Sequence, residues 1–169
     1  MLFLWTILLT ILISIVWTTY RYGIGPTPTS NKVKKILMEH LPKLPSGPIY
    51  ELGAGFGTLA FALADHYPDH TVIAIEVSPI PWAWMVAIQG LHPRKNLKII
   101  RGDFFKESLE DAKLIVCYLY PGAMQKLKEK IDRECQKAKL ISHTFAFPTK
   151  TPTQVIYAHD LYHTPIYIY

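Results

Sequence analysis

Residues 49–57 read Ile-Tyr-Glu-Leu-Gly-Ala-Gly-Phe-Gly, and their spacing decides the fold. Ile49 and Tyr50 are β-type residues leading into Glu51. Gly53, Gly55 and Gly57 follow at alternate positions, and then an apolar, alanine-rich helical pattern runs from Leu59 to Ala64. This is strand, glycine turn, helix. The turn needs glycine where the backbone must bend sharply and let a ligand approach without a Cβ in the way. The helix behind it offers unpaired N–H groups to that ligand. A second acid, Glu76, ends the next apolar run, Thr71–Ile75, where an acid can hold the two hydroxyls of a ribose. A dinucleotide fingerprint places its third glycine three residues after the second. Here an acid precedes glycines at strict alternation, which suits a ligand with a cationic amino-acid end and suits a pyrophosphate poorly. A nicotinamide oxidoreductase is disfavoured on that ground.

The chain has 169 residues, enough for one domain plus something small. It is 50% hydrophobic and 18% charged, apolar for a soluble domain, and the apolar excess sits in the first residues. The net charge of +5 is scattered along the chain, so no nucleic-acid-binding face is expected. Mild attraction to an anionic membrane surface accounts for the balance. Cys117 and Cys135 show neither pairing nor metal spacing, so a reducing compartment and no metal are expected.

Residues 2–20 contain no charged side chain. As a helix, that stretch would span roughly 29 Å at about 1.5 Å per residue, close to the ~30 Å hydrocarbon core. Trp5, Trp17, Tyr20 and Tyr22 lie near its ends, as interface aromatics do. It lacks a basic leader and a small-residue cleavage site, so it reads as an uncleaved anchor. Arg21, Lys32, Lys34 and Lys35 all follow it, which by the positive-inside rule puts the catalytic domain in the cytoplasm of a single-pass membrane protein. The expected organisation is an anchor over 1–22, a Gly/Pro linker over 23–30 and one α/β domain over 31–169.

Within that domain, Ser30 or Asn31 caps a short helix to about His40. After the glycine turn a helix runs to about Tyr67, where Pro68 stops it. A second strand covers 71–76. Ser78 and Pro79 open the next helix, whose Trp82, Trp84, Met85 and Ile88 read as core packing, with one of them a possible adenine floor. Strands are expected over 97–100, 114–118 and 140–147, with an amphipathic helix over 123–137 that keeps its lysines and acids outside. No amphipathic helix follows Phe147. Residues 153–158 and 164–169 alternate as a closing pair of strands. His159 and His163 read as surface residues.

The pattern acid-x-Gly-x-Gly-x-Gly resembles the first motif of the class I, seven-strand S-adenosylmethionine (SAM) methyltransferases. Further stretches narrow the resemblance. They are Pro-Thr-Pro at 26–28, Ile-Glu-Val-Ser-Pro at 75–79, Tyr-Pro-Gly-Ala-Met at 120–124 and Ile-Ser-His-Thr-Phe-Ala-Phe-Pro at 141–148. Together they are similar to the small membrane-anchored protein-lysine methyltransferases that modify the adenine nucleotide translocase and the ATP synthase c-subunit. The resemblance implies a Rossmann-like sheet flanked by helices. It implies SAM held by Glu51, Gly53, Ala54, Gly55, Gly57, Glu76, Val77, Asp103 and Phe104, with Tyr118, Tyr120 and Pro121 beside the transferred methyl. The expected activity is SAM-dependent methylation of a protein lysine at the membrane. Two alternatives stand beside it: methylation of an amine-bearing lipid or small molecule, and SAM binding without turnover.

Overall fold

Short apolar runs bounded by turn residues form the strands, and 3–4 spaced apolar residues form the helices, as the periodicity dictates. The structure, a computed structural model, describes residues 1, 5, 6, 9, 13, 16, 17 and 20 and residues 27–169. The strands are β1 (Ile49–Leu52), β2 (Val72–Glu76), β3 (Leu97–Arg101), β4 (Leu114–Cys117), β5 (Lys139–His143), β6 (Gln154–Tyr157) and β7 (Pro165–Ile168). The helices are α1 (Asn31–Glu39), α2 (Thr58–His66), α3 (Pro79–Leu91) and α4 (Pro121–Glu134). Most of the expected transmembrane segment and half of the expected linker lie outside the described residues. Among the described residues, no helix is long and apolar enough to cross a membrane.

The seven strands form one sheet in the order β3-β2-β1-β4-β5-β7-β6. β1, β2, β3, β4 and β5 run parallel, and β7 is antiparallel to both β5 and β6. β1 and β4 lie side by side and are buried along their whole length, which is why they read as near-continuous apolar runs. Alternate residues of each strand feed opposite cores. On one face Ile49, Val72 and Val116 meet Leu37 of α1, Leu59 of α2 and Met85 of α3. On the other, Leu52, Ile115 and Leu140 meet Met124 and Leu127 of α4. The chain order reverses between β1 and β4, where a parallel sheet opens a crevice at the carboxyl ends of its strands.

The local signals held where chemistry was specific. Ser30 caps α1, its hydroxyl accepting from the Val33 N–H at 3.3 Å. Three readings change. β5 ends at His143 instead of continuing to Phe147, because Thr144 takes a left-handed φ of 70° and Phe145 N–H turns back to the His143 carbonyl at 2.8 Å. Lys130 of α4 is buried and not outside. Its ammonium pairs with Glu134 one turn on at 2.8 Å, and Glu134 also accepts from the Leu109 N–H. Trp84 is exposed, edge-on to Phe56, so it is not core, while Met85 beside it is fully buried.

Asn96 ties α2 to β3. Its side-chain amide donates to the carbonyls of Ala64, Tyr67 and His70 at 2.9, 3.0 and 3.2 Å, covering acceptors that a helix end leaves open. Asn96→Ala strands those carbonyls and is expected to cost about 2 kcal/mol. Urea denaturation will show it as a lower midpoint at unchanged slope.

Candidate active site

The turn after β1 sets the floor of a cleft of about 320 Å³ at the carboxyl ends of β1, β2 and β4. Gly55 stands at φ +56°, and a Cβ built there meets nothing within 4 Å: it faces open cleft. Gly57 differs. At φ +80°, its Cβ would lie 2.8 Å from Met85 and 2.9 Å from Phe61, so this glycine serves the packing of α2 and α3. It does not line the cleft. The helix start behind the turn has no side-chain cap on its N-cap residue Gly57.

Glu51 and Glu76 end neighbouring strands and both are buried. Their environments differ. Glu76 is satisfied on both oxygens: one accepts from the Ser78 N–H and the other from the Gly55 N–H, each at 2.7 Å. Glu51 Oε2 is buried with no hydrogen-bond partner while its residue lines the cleft. Burial raises the Glu51 carboxyl well above the ordinary carboxylate range. The neighbouring Glu76 adds to the rise, and a hydrogen bond with the Ala60 backbone opposes it. A cleft-lining carboxyl with one buried oxygen that has no partner among the described residues calls for a cationic donor. The ammonium of a methionine moiety supplies one.

Asp103, Phe104 and Phe105 form the next wall. Asp103 Oδ1 also accepts from the Phe105 N–H at 3.0 Å, which rigidifies the turn that presents both rings. These rings, and none of Trp82, Trp84, Met85 or Ile88, line the cleft, so the aromatic surface comes from the β3 turn and not from α3. Gly53, Ala54 and Val77 line it as expected. On the opposite side stand Tyr118 and Tyr120. Tyr120 is the N-cap residue of α4. Pro121, at the first helical position, is exposed and does not line the cleft, because its ring serves to start the helix.

Sequence reasoning missed one wall. Thr27, Pro28 and Thr29, read as linker, line the cleft. Thr29 Oγ1 lies 3.0 Å from His143 Nε2, across 114 residues of chain. Nothing in local spacing marks such a contact; the only signal was the recurrence of Pro-Thr-Pro in the family resemblance. Ser78, read only as a helix start, and Lys126, which the sequence did not single out, are further lining residues.

The donor set fits SAM: an orphaned carboxyl for the amino group, a strand-end carboxylate for a ribose, an acid and rings for the adenine. A bound ammonium beside Glu51 lowers its raised pKa, so binding releases a proton between the lowered and the raised values. Calorimetry of SAM binding in buffers of different ionisation enthalpy is expected to detect that release. Glu51→Gln should abolish it and weaken binding tenfold or more, as loss of a charge-assisted bond of about 1.5–3 kcal/mol requires.

Comparison with known proteins agrees with this geometry. Residues 51–154 match the profile of the family described as the ANTKMT methyltransferase domain. A protein-lysine N-methyltransferase of Saccharolobus islandicus is 24% identical over 146 residues, covering 84% of this chain and 90% of that protein. The mouse adenine nucleotide translocase lysine N-methyltransferase is 28% identical over 116 residues, 65% of this chain but 48% of the mouse protein. In fold, an RNA methyltransferase of Salinibacter ruber, solved with S-adenosylhomocysteine, superposes with a TM-score of 0.66 at 19% identity, over 85% of this chain and 92% of its own. A precorrin-6y C5,15-methyltransferase of Geobacter metallireducens gives 0.63 at 13% identity, over 83% and 87%. With its seven-strand order and its SAM cleft, the chain belongs to the ANTKMT methyltransferase domain family and is a SAM-dependent methyltransferase.

Proposed function

We propose that this enzyme is a protein-lysine N-methyltransferase whose acceptor amine enters between Tyr118 and Tyr120 and whose protein substrates lie at a membrane. The observation that carries the reading is the make-up of the cleft. Its carboxyl groups, Glu51, Glu76 and Asp103, stand on the β1–β3 side, and its β4 side presents tyrosines. The two relatives named as lysine methyltransferases support the same acceptor.

SAM, when bound, supplies an electrophilic methyl group on a cationic sulfur. The protein contributes alignment and desolvation. A lysine with the ordinary pKa of about 10.4 is protonated at neutral pH, and making it neutral costs roughly 4–5 kcal/mol. Burying the ammonium near another cation reduces that cost. Tyr118 and Tyr120 direct it, since aromatic faces attract an alkylammonium while excluding water. Tyr118 is held rigid by stacking on His143, with centroids 4.4 Å apart and 28° between planes. The proton leaves to water before transfer, since no carboxylate lines the tyrosine side.

The membrane part of the proposal rests on the uncharged stretch 2–20, whose described residues Trp5, Leu9, Ile13, Val16 and Trp17 are all exposed. An anchor over 1–22 and a linker over 23–30 hold the catalytic domain on the cytoplasmic side, within reach of membrane-protein lysines.

The full-length protein with methyl-tritiated SAM and membranes from its source is expected to label a discrete protein band. Glu51→Ala should abolish the label. Tyr118→Ala should cut the rate at least tenfold while leaving SAM affinity within about threefold. Label in the lipid extract instead would make the acceptor a lipid amine. SAM binding without label in either fraction would mean that neither class of acceptor is the substrate.

A further inference from the structure

The turn after β5 is strained, and it is pinned. Thr144 holds a left-handed φ of 70° inside a three-residue turn closed by Phe145 N–H to His143 O at 2.8 Å. A β-branched residue there is costly and persists only where the surroundings over-determine it. They do. The Thr144 N–H donates to the Pro165 carbonyl at 2.8 Å, Ser142 Oγ donates to the Phe145 carbonyl at 2.9 Å, and Phe147 N–H donates to the Tyr169 hydroxyl at 2.8 Å. The result is a fixed position for His143.

His143 is buried at 3% exposure, and both ring nitrogens face hydroxyls. Nδ1 lies 3.1 Å from Thr144 Oγ1 and Nε2 lies 3.0 Å from Thr29 Oγ1. Its ring stacks on Tyr118, which stacks in turn near Phe145 at 6.4 Å and 13°. Burial pushes its pKa down to about 4, so at neutral pH the ring carries no charge to repel a cationic cofactor next door. His143 itself does not line the cleft, yet both residues it holds, Tyr118 and Thr29, do.

We propose that His143 is a positioning residue that latches residues 27–29 over the SAM cleft, the Thr29 hydroxyl being the catch, so that cofactor exchange requires this contact to open. Residues 27–29 form a strap across the cleft with no regular secondary structure of their own. Helix α1 starts just behind the strap, capped by Ser30, and roots it on the α2 face through Val33 and Leu37. The strap is thus rooted at α1, and Thr29 bonds it to His143 at the end of β5. The inference needs SAM as ligand but is independent of the acceptor.

Stopped-flow binding of SAM to the full-length protein tests it, with wild type compared to Thr29→Val, His143→Phe, the double variant and Thr29→Ser. His143→Phe keeps a ring to stack on Tyr118 and removes the catch. Each single variant is expected to raise the dissociation rate about tenfold without slowing association. The double variant should match the singles, because both remove one contact. Thr29→Ser, which keeps the hydroxyl, should stay within about twofold of wild type. Thermal melts of each variant confirm folding, and Thr29→Val alone decides the matter if His143→Phe melts early. Unchanged dissociation in Thr29→Val, or a double variant whose effects multiply to about a hundredfold, would overturn the latch. So would a loss confined to the association rate, which is the signature of a merely damaged fold.

Discussion

Two carboxyl groups held together out of water at the ends of adjacent strands are the constraint on which this site depends. Glu51 and Glu76 are both about 5% exposed, and burial, with the neighbouring Glu76 adding to it, raises the Glu51 carboxyl well above the ordinary carboxylate range. The fold answers this unevenly. Backbone N–H groups from Gly55 and Ser78 satisfy Glu76, while Glu51 Oε2 has no partner among the described residues. A site with one satisfied and one orphaned acid is poised for a ligand with hydroxyls at one end and an ammonium at the other. The cost of the orphan is returned only when that ligand arrives, which couples cofactor binding to local stability.

The glycine turn makes this arrangement reachable. It lets the chain pass from Glu51 of β1 into α2 within a few residues, and its members divide the work. Gly55 leaves room for ligand. Gly57 leaves room for Met85 and Phe61, so that α3 can lie close behind. On the other side of the reversal point, β4 delivers Tyr118 and Tyr120 to the same opening. The acids of the cleft and its tyrosines are thus carried by strands on opposite sides of one topological boundary, and the sheet sets the distance between them.

The sheet itself departs from a fully crossed-over α/β design. Among residues 27–169, three helices cover one face and one covers the other, and a loop joins β5 to β6. β6 forms an edge with Val155 and Tyr157 exposed. The economy places the β5 turn beside Tyr118, where a helix connection would carry the chain away.

Strand–turn–helix at 49–66, the acid at the end of β2, the Ser30 cap, the start of α3 at Pro79 and the closing β6–β7 pair could all be read along the chain. Each depends on interactions within a few residues, which spacing records. Glu51 and Glu76 could be singled out by their place after apolar runs, Asp103 and Tyr118 through the family resemblance, and all four line one cleft. What only tertiary structure decided involves residues far apart in sequence. Trp84 has the composition of a core residue and lies outside, because α3 turns Met85 inward. Lys130 has the composition of a surface residue and lies inside, because Glu134 and the 109 loop close over it. Thr29, which lines the cleft, meets His143 at the end of β5 across 114 residues of chain, and no local rule encodes that meeting. Sequence determined which groups are available at each strand end; packing decided which of them face one another, since burial and partnership are properties of the whole chain.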